Sequence, residues 1–191
     1  MKIILASTSP YRKMLLERFG FAFDTIAPET DETPLPGESP EQLVRRLSFG
    51  KAAAVSDRFP GALVIGSDQV AECDGRIAGK PGGTERAVEQ LLSFSGRTVR
   101  FMSAFCVLRA EPEFRQEGVS VTEVCFRGLD EAEIRRYIER DKPFDCAGSF
   151  RSEAGGSTLL SYMKSDDPTS IMGLPLIRIA ECLRAAGLSL P

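Results

Sequence analysis

The stretch KIILASTSPYRKMLLERFG, residues 2–20, decides the fold class. Ile3, Ile4 and Leu5 form an apolar run that breaks at Ser7-Thr8-Ser9, and a helix signal follows at once. Ser9 is a good N-cap, and Pro10 suits the first helical turn, where its missing N–H costs nothing. Met14, Leu15 and Phe19 recur at helical spacing, and Gly20 supplies the stop. A strand, a hydroxyl-rich turn and a helix opening in that order aim unpaired backbone N–H groups at whatever lies above the turn. Arg12 and Lys13 add two positive charges where the helix dipole prefers acids. On this segment alone two readings stand level: an anion site, most simply for a phosphate, or an ordinary capped βα unit with solvated charges.

Working outward, residues 23–27 read as a short strand, and residues 29–40 as an acidic, proline-rich loop without periodicity. Ser39-Pro40 repeats the cap-plus-proline opening, and a long helix follows to about residue 58. Residues 62–70 form a mostly apolar strand, with a hairpin turn at Asp74-Gly75 leading back through Ile77. The remaining pattern is a helix over 84–94, strands over 99–108 and 119–126, a helix over 130–140 and a last helix from Pro175 through Leu183. Residues 146–156 hold too many small residues for a core helix and read as a site-lining loop. Interleaved strands and helices with one hairpin predict an α/β fold with a mixed sheet.

With 191 residues the chain can bury a core as one domain or as two packed lobes. Its formal net charge of −3 gives no basic surface for a nucleic-acid backbone, and no apolar stretch reaches membrane-spanning length. The five cysteines are odd in number and lack any C-x-x-C pair, which reads as reduced thiols in a cytoplasmic protein. There is no histidine, so the usual serine and cysteine hydrolase triads are excluded. Acid–base chemistry must rest on carboxylates, Lys, Tyr or Cys.

Several charges break the local pattern. Asp68 interrupts the apolar strand ALVIGSDQVA, where an ionised carboxylate needs a partner, a metal or a raised pKa. Leu43, Leu47 and Lys51 fall at i, i+4 and i+8, so Lys51 continues the apolar stripe of its helix. It is either a snorkelling edge lysine or one reaching for an anion. Lys80, just after the hairpin, pairs opposite Gln69 in an ideal ladder. Glu29, Asp31 and Glu32 lie in the acidic loop, and Glu32 with Asp68 suits Mg²⁺, which takes one or two protein carboxylates plus waters and phosphates. Metal-assisted hydrolysis within a polyphosphate explains the set most economically.

These residues match a known family. STSPYR, DETP, the helix bearing Lys51-Ala52, GSDQV, GKP, S-G-x-T at 95–98 and GLPL at 173–176 together resemble the Maf nucleoside triphosphate pyrophosphatases over about residues 2–187. The resemblance implies a Maf/ITPase-like fold: an elongated mixed sheet flanked by helices, in two lobes of one domain with a central cleft. It also implies hydrolysis of a nucleoside triphosphate to the monophosphate and pyrophosphate with a divalent metal, Mg²⁺ or Mn²⁺. Asp68 then resembles the general base, with Asp68 and Glu32 as metal carboxylates. Ser7, Arg12, Lys13, Lys51 and Lys80 resemble phosphate contacts. Tyr11, Gln69 and Glu153 resemble the YceF-like branch acting on 7-methyl-GTP, in which Trp often stands where this chain has Tyr11. Tyrosine stacks on a cationic base less strongly, so a weaker preference over GTP is expected. A homodimer is compatible with the resemblance only. The alternatives are a dTTP/UTP pyrophosphatase of the same family, and a nucleotide-binding regulator of cell division without significant catalysis.

Overall fold

In the computed structural model, which describes residues 1–190, β1 (Ile3–Ala6) is buried along its whole length. Successive side chains of a strand face opposite ways, so β1 feeds two cores. Ile3 and Leu5 pack with Leu15 and Leu16 of α1 (Pro10–Glu17) and with Ile179 and Leu183 of α5 (Leu176–Ala185). Ile4 and Ala6 pack with Ala52 and Val55 of α2 (Pro40–Ser56). β1 pairs in parallel with β2 (Asp24–Ile26) and β3 (Leu63–Cys73), and helices cover both faces, as a parallel sheet requires. α2 opens on a capping box in which Ser39 and Gln42 exchange side-chain and backbone hydrogen bonds.

The remaining elements are β4 (Arg76–Ala78), α3 (Thr84–Phe94), β5 (Thr98–Arg109), β6 (Phe114–Phe126), α4 (Glu131–Asp141) and β7 (Leu160–Ser165). The seven strands form one sheet in the order β2-β1-β3-β5-β6-β7, with β4 on β3. Antiparallel β3–β4 and β6–β7 ladders beside the parallel pairs make the sheet mixed. The chain divides into two compact units. The first holds Met1–Asp68, Ser103–Ser120 and the residues from Asp167 onward, and the second holds Gln69–Met102 and Val121–Asp166. The core of the second is built on aromatic rings: Phe94 on Phe126, Phe126 on Phe150 and Phe150 on Phe101, at centroid distances of 5.4–5.6 Å.

Three expectations need correction. β6 starts at Phe114, five residues before the predicted strand, across the polar RQE run that carries no strand pattern. Residues 146–156, read as a site-lining loop, are more ordered than that reading implied. Short 3-10 turns at Ala147–Ser149 and Gly155–Leu159 bound it, and Ala147 to Phe150 are buried, so the small residues serve close packing. β7 has no counterpart in the sequence reading, because four of its six residues are exposed and only its pairing with β6 defines it.

Candidate active site

α2 and β3 bring the first charged cluster together. Leu43, Val44, Leu47, Ser48, Lys51, Ala52 and Val55 form the buried stripe of α2. Gly66 lets that stripe lie directly on β3: a Cβ there would run into the Ser48 carbonyl oxygen and stand 2.7 Å from the Ala52 nitrogen. Lys51, only 5% exposed, therefore reaches Asp68, which is 7% exposed and two residues along the strand. Its ammonium donates to Asp68 Oδ1 at 2.6 Å and meets Glu32 Oε1 at 2.6 Å. The trio carries a net charge of −1, with one buried carboxylate and one that is 59% exposed.

The acidic loop holds Glu32 through partners on the same helix. Asp31 accepts the Thr33 N–H at 2.9 Å in a local turn. Arg46 of α2 grips both oxygens of Glu38, at 2.6 and 2.8 Å, and donates to the Thr33 carbonyl at 3.0 Å. The Arg46 hydrogen bonds, with help from the Leu35 N–H, hold the Glu38 carboxyl well below its usual range, at about 2.

The β1–α1 turn departs from expectation in its donors. Ser9 N–H donates to Ser7 Oγ at 3.1 Å, Arg12 N–H to Ser9 Oγ at 3.4 Å, and Pro10 has no N–H to offer. The serine hydroxyls thus absorb N–H groups predicted to face an anion. Arg12 is also engaged: its Nε donates to the Gly173 carbonyl at 3.0 Å and its Nη1 to the Ser67 carbonyl at 2.7 Å. Burial pushes the guanidinium down from its ordinary value, and the nearby Asp68 and Glu32 charges pull it back up. Arg12 therefore fastens the peptide that precedes Asp68. Ser67 Oγ, fully buried, lies 2.7 Å from the same Gly173 carbonyl and 2.8 Å from that of Ala104. Gly173, at φ +99°, turns its carbonyl toward both donors. Tyr11 is half-buried, and Lys13 is exposed in the same turn of α1.

Gln69, Lys80 and Glu153 belong to the second unit. Gln69 is half-buried on β3. The β3–β4 ladder ends at Ala71↔Ala78, so the Gln69–Lys80 pairing of an ideal hairpin is not made, and Lys80 lies exposed beyond the last paired residue. Glu153 Oε1 accepts from Arg151 Nε at 3.1 Å.

Among the described residues no three His, Cys, Asp or Glu side chains gather as a metal cage. Glu32 and Asp68 both meet the Lys51 ammonium, and a divalent ion that completes its shell with waters and phosphate oxygens needs no more than two such carboxylates from the protein. The residues present fit that kind of ion.

The family described as Maf-like protein matches residues 2–186. The chain belongs to that family. This Maf-like chain is 52% identical over 191 residues to a protein of Aromatoleum aromaticum named 7-methyl-GTP pyrophosphatase, covering 100% of this chain and 98% of the other. It is 48% identical over 188 residues to a Polaromonas protein of the same name, covering 98% and 86%. Among solved structures, a HAM1 protein from Coxiella burnetii superposes with a TM-score of 0.55 at 13% identity, covering 97% of this chain and 99% of that one, which shows a shared fold. Within the Maf-like chain, Gly66, Ser67, Arg46 and Gly173 were missed as site-building residues. A glycine inside an apolar strand was the available signal for Gly66. The others act through backbone carbonyls or loop closure, which leave no mark on residue spacing.

Proposed function

We propose that this chain is a nucleoside triphosphate pyrophosphatase that hydrolyses 7-methyl-GTP to 7-methyl-GMP and pyrophosphate, clearing modified nucleotides. The observation that carries the reading is Lys51, buried and held 2.6 Å from both Asp68 and Glu32. The names of the full-length relatives support the substrate.

Each residue has a role its chemistry can perform. Asp68 orients a water and accepts its proton as the oxygen attacks the α-phosphorus, and the bond from that phosphorus to the bridging oxygen breaks. Lys51 and exposed Lys13 supply positive charge for the phosphates and for the charge that develops on leaving pyrophosphate. Arg12 keeps the peptide before Asp68 in place rather than presenting its whole guanidinium to substrate. A divalent cation, Mg²⁺ or Mn²⁺, would be held by Glu32 and Asp68 and would supply charge neutralisation across the triphosphate. Tyr11 is read as an aromatic face for the cationic methylated ring. Glu153 is read as an acceptor for the N1–H and amino group of the guanine edge.

Pyrophosphate release across 7-methyl-GTP, GTP, dTTP and UTP, with Mg²⁺ or Mn²⁺ and beside an Asp68→Asn control, tests the proposal. The expected result is preference for 7-methyl-GTP and loss in the control. Higher turnover of dTTP and UTP would move the substrate assignment, and tight 7-methyl-GTP binding without pyrophosphate would overturn the catalytic one.

A further inference from the structure

Glu153 stands in a turn whose construction is specific. Arg151 anchors that turn at three points. Its backbone N–H donates to the Tyr137 hydroxyl at 2.9 Å, and its Nη1 donates to the Asp141 carbonyl at 2.8 Å. Its own carbonyl accepts from Gly156 N–H at 3.0 Å and from Ala154 N–H at 3.4 Å, closing the turn around Glu153. The fourth contact runs to function: Nε donates to Glu153 Oε1.

α4 supplies the fixed side of this arrangement. Tyr137 is buried, and burial pushes its phenol up, so the hydroxyl keeps its proton and donates to the Ser149 carbonyl at 3.2 Å while accepting from Arg151. The Asp141 carboxylate accepts the Gly155 N–H at 2.7 Å and the Arg140 guanidinium at 2.7 Å. The turn is thus tied to α4 before its carboxylate and after it.

A glutamate that must accept two N–H groups of a base edge has to hold both oxygens in one plane, and a free Glu side chain loses much rotamer freedom in doing so. The planar guanidinium of Arg151 spans the Asp141 carbonyl and the Glu153 carboxylate from two nitrogens fixed in one plane, a directional grip that a single ammonium nitrogen does not reproduce. Arg151 takes one of roughly four lone-pair sites on the carboxylate, and the Ser152 hydroxyl, 3.5 Å from Oε2, takes a second, so both oxygens keep an acceptor site.

We propose that Arg151 is the positioning residue for Glu153, held in turn by Tyr137 and Asp141, so that the carboxylate meets a guanine-type edge in one prepared orientation. The inference rests on the reading of Glu153 given above. It adds that discrimination comes from hydrogen-bond direction rather than from net charge, since the Arg151–Glu153 pair is neutral overall.

The measurement is the ratio of kcat/KM for 7-methyl-GTP to that for UTP, taken on a single preparation of each variant so that any unfolded fraction cancels. The variants are Arg151→Ala, Arg151→Lys, Glu153→Gln, the double variant Arg151→Ala/Glu153→Gln, and Tyr137→Phe. Arg151→Ala is expected to lower the ratio about tenfold, mainly through KM for 7-methyl-GTP, as when a prepared side chain must be ordered on binding. Arg151→Lys should recover part of the loss, Tyr137→Phe should show a smaller fall, and the double variant should be no worse than Glu153→Gln alone. If Glu153→Gln lowers the ratio and Arg151→Ala leaves it unchanged, the positioning role is overturned while the reading of Glu153 stands. Additive losses in the double variant also overturn it, because Arg151 would then act independently. An unchanged ratio in Glu153→Gln removes the reading of Glu153 and the inference with it.

Discussion

Asp68 sits on a mostly buried strand and meets Lys51 of a helix packed directly upon it, whereas Glu153 stands in a turn pinned by α4 through side-chain and backbone hydrogen bonds. Both carboxylates face a cation, but the surroundings differ. The Lys51–Asp68 pair is nearly shut from water, so its attraction is little screened and either group left alone would be costly. The Arg151 and Glu153 side chains keep 27% and 20% of their surface exposed, so their pairing contributes orientation more than stability. In the proposed reading, a strand and a helix carry the charges on which turnover depends, and a turn tied to α4 carries the choice of base.

That contrast can be broken most directly at Asp68. Asp68→Asn should lower pyrophosphate release by about 10²–10⁴-fold. Thermal unfolding of the same variant checks that the fold survives. Lys51→Met leaves Asp68 buried without its cation and should destabilise the protein by about 3 kcal/mol in urea unfolding, along with loss of activity. An unchanged midpoint would mean that the pair is solvated after all. Gly66→Ala forces α2 away from β3 and should cost about 1–3 kcal/mol, with turnover falling because Lys51 moves relative to Asp68. Gly61→Ala, where a Cβ meets nothing within 4 Å, is the matched control and should shift unfolding by less than about 0.5 kcal/mol.

The smallest effect sharpens the picture of the loop that carries Glu32. The folded pKa of Glu38 lies near 2, below its ordinary 4.5, so its contribution to holding the loop is complete above pH 4.5. It is lost as the pH falls from there through about 2. Protection of the amides across residues 31–38, measured against their intrinsic exchange rates, should fall in that window while the β1 amides stay protected. Uniform loss of protection everywhere would place the acid transition in the core instead.

Much of the fold was legible because its signals are local. Ser9-Pro10 and Ser39-Pro40 mark α1 and α2 by the capping chemistry that the structure contains, and α3 runs over the predicted residues 84–94. Lys51 was legible as an anomaly because helical periodicity places it on the buried stripe of α2. β7 was not, since an exposed edge strand has no hydrophobic alternation to read. The donors of the β1–α1 turn were legible only in part for a related reason: spacing marks Ser9 as a cap, but not that the Ser7 hydroxyl takes the Ser9 N–H.

By itself the sequence determined most of the elements, the mixed α/β class and the short set of charged residues out of place in an apolar setting. These follow from propensity, capping and periodicity, which act over a few residues. Only the tertiary structure decided that Lys51 bridges Asp68 and Glu32, that Arg12 holds the peptide before Asp68, and that Tyr137 and Asp141 of α4 hold Arg151. A hydrogen bond or an ion pair depends on distances of about 3 Å between atoms far apart along the chain, and packing alone sets those distances.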